Sequence, residues 1–296
     1  MAQGQALTPI DVIPAGDVTG ECVLWDARRQ ALWWTDIQRS RLYRHDWTTR
    51  RSQVFHTPER VGSFGFVAGS DQLITAFASG IALYEPVSRE LRWLARPTAD
   101  MPQVRFNDGR VDRCGRFWAG TMMEGSPKLP LGQLYSFDCR RGLHLHFGGI
   151  KISNGLCMSR DGAKLYFADS GTQLIQVHEL AEPTGTLGPP QPFARCTDAA
   201  VPDGAAIDAE GFLWSAQWGG SRLVRYAPDG RVDLTIAVPT LQPTCVCFGG
   251  PDFDLLFVTT AREHLDAATL RREPNAGDVF VYRTGFRGLP EEAYRP

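Results

Sequence analysis

Glu21, Asn107, Asn154 and Asp203 are far apart in the chain, yet each stands ten or eleven residues ahead of a short apolar segment of one recurring type: ALWWTD, RFWAGT, KLYFAD and FLWSAQ, anchored at Leu32, Phe117, Leu165 and Leu213. Brought together, two carboxylates and two amides make an oxygen-rich site with a net charge of about −2. Two carboxylates about 5 Å apart at an effective dielectric near 20 repel by roughly 3 kcal/mol, so a Glu21/Asp203 pair either holds a proton between its members or binds a cation. The charge suits one divalent ion. Oxygen ligands favour Ca²⁺, Mg²⁺ or Mn²⁺, leave Zn²⁺ and Fe²⁺ open, and, with no His or Cys in the set, argue against a dedicated soft-metal site. A cation so held polarises a carbonyl and activates water, with Asp203 placed to act as general base.

The elements that must position these residues follow from repetition. Two further segments of the same type, QLITAF at Leu73 and LLFVTT at Leu256, complete a series whose spacings are 41, 44, 48, 48 and 43 residues. Strand-rich units with a period in the forties predict an all-β, six-bladed β-propeller occupying residues 1–296 as one domain, because a blade cannot bury both faces of its sheet except against neighbours in a ring. Amphipathic runs before and after each anchor give at least three strands per unit, separated by Gly, Asp, Asn and Ser turns. LDAATLRRE, residues 265–273, is the one helical stretch, with Asp266 as N-cap and Pro274 beyond its end.

The strand just before each anchor is expected to be innermost, so that its first residues face one mouth of the central channel. The equivalent slots hold Glu21, Gly62, Asn107, Asn154, Asp203 and Cys245, with Ser63 and Asp108 admitted by a tolerance of one. Asp108-Gly109, Asn154-Gly155 and Asp203-Gly204 are turn dipeptides. However, DRCG, SRDG and DAEG supply the hairpin turns a strand length later, which leaves the upstream residues without that task.

Composition bounds the alternatives. With 31 Lys and Arg against 33 Asp and Glu, the formal charge of −2 provides no basic field for nucleic acid or an anionic membrane. There is no run of about 18 apolar residues, and the stretch MAQGQALTPIDVIPAG lacks the pattern of a secretory leader, so a cytoplasmic location is expected. The cysteines at 22, 114, 139, 157, 196, 245 and 247 are odd in number and carry no CxxC pair, which suits buried reduced thiols. His144 and His146 share a strand face and read as a solvated strand rather than a metal pair. A serine hydrolase is disfavoured by the lack of a G-x-S-x-G elbow.

GECVLW, RFNDGRVDRCGRFWAGTM, ISNGLCMSRDGAKLYFADS, VPDGAAIDAEGFLWSAQWGGSRLVRY, CFGGPDFDLLFVTTA and NAGDVF together resemble the regucalcin/gluconolactonase (senescence marker protein) family of six-bladed propellers, nearly end to end. The resemblance implies a divalent metal at the channel mouth bound by Glu21, Asn154 and Asp203, with Asn107 beside it contacting bound water or substrate. It implies that Arg105 reaches sugar hydroxyls, that Glu124 lies along the pocket wall, and that the activity is hydrolysis of sugar aldonolactones of the gluconolactone or xylonolactone type to aldonic acids. The sugar lactone is then the small-molecule partner. The family usually reads Gly-Glu-Gly-Pro or Gly-Glu-Ser-Pro at the first ligand, whereas this chain has Gly20-Glu21-Cys22-Val23. Metal identity, ring size and oligomeric state stay open. So do two other readings, a metal-dependent propeller esterase or phosphotriesterase and a non-catalytic metal-binding interaction propeller.

Overall fold

The computed structural model describes residues 7–182 and 184–296; residues 1–6, part of the stretch read for a leader, lie outside the described residues. Six antiparallel sheets form a six-bladed β-propeller. The first four blades begin with the strands Gly20–Asp26, Val61–Phe66, Val104–Val111 and Ser153–Met158, and the fifth and sixth with Val201–Ile207 and Pro243–Gly249. These first strands pack against one another around the axis. All six anchors lie in the second strands, Ala31–Asp36, Leu73–Phe77, Phe117–Met123, Lys164–Asp169, Leu213–Trp218 and Leu255–Thr260. A second strand is covered on both faces by adjacent blades, and that is why it reads as a continuous apolar run.

The core is divided accordingly. Six apolar clusters fill the spaces between neighbouring blades, among them Trp25, Trp34 and Phe257 between the last and first, and Trp118, Leu134 and Phe167 between the third and fourth. Closure joins the two ends of the chain: Asp11–Ile13 pairs with Val279–Arg283 as the outermost strand of the sixth blade. The helix forms at Ala267–Arg272, and the Asp266 carboxylate accepts from the Thr269 amide at 2.7 Å. Five cysteines are buried, as expected, but Cys139 is exposed and Cys114 half-buried, because both fall in outward hairpin turns. No helix among the described residues is long and apolar enough to cross a membrane.

The DRCG and DAEG turns are organised by their aspartates. Asp112 accepts from the amides of Cys114 and Arg116, from Arg116 Nε and from Trp118 Nε1, all within 2.7–2.9 Å. Asp208 likewise binds the amides of Glu210 and Phe212, Trp214 Nε1 and Arg225 Nε. One carboxylate thus fixes the turn and the indole of the following strand together, and the hairpin needs no contribution from the Asn and Asp residues upstream.

Near the top of the first blade, Asp17 accepts from Trp34 Nε1 at 2.8 Å while its other oxygen is buried without a partner. Burial, and then the neighbouring Asp36 carboxylate, push its pKa up to about 7. A carboxyl raised in the folded state contributes stability that is complete below its unfolded pKa and is lost as pH rises through about 7. Asp17→Asn should therefore gain stability relative to the parent between pH 5 and pH 8, by a few kcal/mol at most on the order-of-magnitude conversion of the shift. Urea unfolding midpoints across that range check this; parallel pH curves for the two proteins would refute it.

Candidate functional site

The innermost strand of every blade carries a register shift at the same height. Glu21 pairs with Thr35 but Leu24 with Trp33; Phe106 pairs with Thr121 but Gly109 with Ala119; Asn154 pairs with Ala168 but Cys157 with Tyr166; Pro202 pairs with Gln217 but Ala205 with Ser215. The second and sixth blades shift at Gly62 and Thr244. Each shift inserts an extra residue, a β-bulge, which re-aims the neighbouring side chains. The turn-forming dipeptides of the sequence are these bulges. Gly155 takes a left-handed φ of 65° there, and a side chain at Gly62 would strike the Asn107 carbonyl oxygen at 2.5 Å.

Glu21, Arg105, Asn107, Glu124, Asn154 and Asp203 all line one cavity of about 550 Å³ at a single mouth of the channel. Glu21, Asn107, Asn154 and Asp203 come from the first, third, fourth and fifth blades. Asp108 is excluded, since its two oxygens accept from the amides of Gly109 at 2.8 Å and Leu156 at 2.7 Å. It binds the third blade to the fourth just behind the cavity.

The amides are held in one orientation by a chain of hydrogen bonds. Arg105 Nη1 donates to Asn107 Oδ1 at 2.6 Å, Asn107 Nδ2 donates to Asn154 Oδ1 at 2.8 Å and to the Ser153 carbonyl, and Asn154 Nδ2 donates to Ser170 Oγ at 2.9 Å. Ser170 in turn donates to the Pro202 carbonyl at 2.7 Å. The chain fixes Asn154 Oδ1 on the cavity side with a lone pair to spare. Arg105 also donates through Nε to Glu124, which receives both terminal nitrogens of Arg60 at 2.6 Å.

The carboxylates have no such satisfaction. Glu21 accepts only from the Cys22 amide at 3.1 Å, Asp203 Oδ1 is buried without a partner, and neither forms an ion pair among the described residues. The two carboxyls lie within hydrogen-bonding reach of each other, and burial first, then the surrounding carboxylates, push both pKa values up. Either a proton shared between them or a bound cation would relieve this repulsion. Two desolvated carboxylates beside an oriented amide oxygen are also a donor set that fits a hard divalent cation, whose charge would replace the proton. Among the described residues no three His, Cys, Asp or Glu side chains form a metal cluster.

Cys22 explains the local departure in the first blade. It occupies a left-handed φ of 47°, the conformation that glycine adopts at Gly155. Its buried thiol accepts from the Phe64 amide at 3.3 Å, tying the first innermost strand to the second.

A larger cavity of about 730 Å³ lies between the third and fourth blades, lined in part by His144, His146 and His178, and contains none of the channel-mouth residues. His146 stacks on Trp118, and burial pushes its pKa down to about 4. The oxygen site lies elsewhere.

The family profile described as "SMP-30/Gluconolactonase/LRE-like region" matches residues 19–262. The chain belongs to this family. Among its relatives, the 6-deoxy-6-sulfogluconolactonase of Pseudomonas putida is 37% identical over 96% of this chain and 97% of its own length. The L-arabinolactonase of Azospirillum brasilense is 36% identical over 93% and 95%. The crystal structure of regucalcin from Agrobacterium tumefaciens, a calcium-binding protein, superposes with a TM-score of 0.93 at 29% identity and covers 98% of both chains. Thr19, Gln38, Lys128, Ser170, Trp218 and Glu263 also line the cavity. Those residues sit at strand ends and in loops outside the slot, where no constant spacing from an anchor marks them.

Proposed function

We propose that the chain is a metal-dependent sugar lactonase, hydrolysing an aldonolactone to its aldonic acid at the channel mouth. The observation that carries this reading is the convergence of Glu21, Asn154 and Asp203 on one cavity, with neither carboxylate in an ion pair among the described residues. The family relationship and the lactonases among the relatives support the reaction class. A divalent cation held by these three residues would supply Lewis acidity toward the lactone carbonyl and a lowered pKa for an adjacent water.

The residues supply the rest. Asp203 Oδ1, which has no hydrogen-bond partner among the described residues, takes the proton of the attacking water as oxygen adds to the carbonyl carbon. The ring C–O bond then breaks, and the same proton passes to the departing ring oxygen, which leaves as a hydroxyl of the product. Asn107 spends both amide protons on its neighbours and so keeps Asn154 oriented, offering the pocket only its remaining Oδ1 lone pair. Arg105 is anchored through Nε and Nη1, which leaves Nη2 for the hydroxyls of the sugar. Glu124 holds that guanidinium in place from the wall.

Ile37, Met122, Ile152, Val201 and Trp218 give the cavity an apolar side, which favours ester hydrolysis as the second reading. Acid release from a panel of pentonolactones and hexonolactones, set against aryl esters, separates the two. Sugar lactones should be the better substrates by kcat/KM. Turnover of aryl esters exceeding that of every sugar lactone would favour the esterase, and hydrolysis of neither would revive a binding role.

A further inference from the structure

Lys128 stands over the same cavity on the segment that follows Glu124. Its ammonium donates to the Met123 carbonyl at 3.2 Å and forms no ion pair among the described residues. The side chain is half-buried, and burial first and then the nearby Arg105 guanidinium push its pKa down. A partly desolvated cation with two unused protons is a costly feature unless something anionic reaches it.

Glu124 and Glu263 lie near enough to act on Lys128 electrostatically, but neither forms an ion pair with it. Glu124 is committed to two guanidiniums, that of Arg105 in the lining and that of Arg60 outside it. Glu263, on the rim, is a second carboxylate, and its oxygens accept from Thr19 Oγ1 at 2.7 Å and Gln38 Nε2 at 3.0 Å rather than from Lys128. The acidic pair Glu21 and Asp203 lies at the floor, where the reacting carbonyl must go. The cavity is therefore polarised, with its carboxylate pair at the floor and an ammonium without an ion-pair partner at one side.

We infer that the preferred substrate is a lactone carrying an anionic group, a sulfonate, phosphate or carboxylate, on the end remote from the carbonyl, with Lys128 as the residue that selects it. This rests on the lactonase reading above and adds the charge of the substrate to it. An anion that meets a partly buried ammonium gains far more than a neutral hydroxyl does, and the gain is screened by salt.

The test compares kcat/KM for gluconolactone with that for 6-deoxy-6-sulfogluconolactone, in the parent and in Lys128→Met, at low and high salt. The parent should favour the anionic lactone by about 10-fold or more, chiefly through KM, and the preference should fall about 10-fold in the variant and shrink with salt. Lys128→Arg, which keeps the charge, should retain most of the preference and so separates loss of charge from misfolding. Phosphorylated and carboxylated counterparts rank the anion. A parent that hydrolyses gluconolactone at least as well as the sulfonated lactone overturns the inference while leaving the lactonase reading intact. So does a preference that Lys128→Met does not change. Hydrolysis of neither lactone overturns both.

Discussion

Asp203→Asn, saturated with cation, should lower kcat for lactone hydrolysis by roughly 10²- to 10⁴-fold, the span associated with a general base. The amide keeps the shape and can still offer an oxygen, but Oδ1 no longer accepts a proton. The same substitution removes one of two repelling buried carboxylates, so the protein without added cation should resist urea better than the parent. Loss of activity with gain of stability is a signature that simple misfolding cannot imitate. Wild-type kcat in the saturated variant would remove Asp203 from the role of base.

The largest effect on stability is expected at Asp208, well away from the cavity. Its two oxygens hold a turn, the Trp214 indole and the Arg225 guanidinium. That guanidinium is sandwiched between Phe212 and Phe286, at 3.7 and 3.8 Å from their ring centres. Asp208→Ala would leave a buried indole N–H and two turn amides without acceptors, and Arg225 would depend on its more exposed partners Glu210 and Asp233. Breaking a buried pair in this way costs about 3–5 kcal/mol. Asp229→Ala, which removes the exposed partner of Arg231, is the control and should change little. A shift in unfolding free energy below about 1 kcal/mol for Asp208→Ala would mean that the turn reorganises around its loss.

The ring was legible because burial on both faces imposes the same apolar run on every second strand, so Leu32, Leu73, Phe117, Leu165, Leu213 and Leu256 recur at similar intervals. The fourth strands were not. Arg51–His56 and Val232–Ala237 lie at the blade edges with mostly exposed or half-buried side chains, and their sequences carry only a faint alternation. The outer strand of the sixth blade comes from Asp11–Ile13, at the opposite end of the chain, and no local pattern could assign it.

Within the site, Glu21, Asn107, Asn154 and Asp203 could be found because they share one height in a repeated strand. The bulges that aim them were hidden behind residue pairs that ordinarily make turns. Lys128 and Glu263 are supplied by the ends of individual blades, and no blade phase extends to them. Cys22 read in the sequence as a buried thiol and a departure from the family pattern; its left-handed backbone and its bond to the Phe64 amide emerge once two innermost strands are seen side by side.

On the function proposed above, lactone hydrolysis depends on one divalent cation held by Glu21, Asn154 and Asp203. Calorimetric titration of chelator-treated protein with Ca²⁺, Mg²⁺, Mn²⁺, Zn²⁺ and Fe²⁺, followed by acid release from a sugar lactone on the same samples, tests it most directly. One ion should bind per chain, that binding should be lost in Glu21→Gln, and hydrolysis should be absent after chelation and return in step with occupancy. Full hydrolysis by protein shown to carry no cation would contradict it.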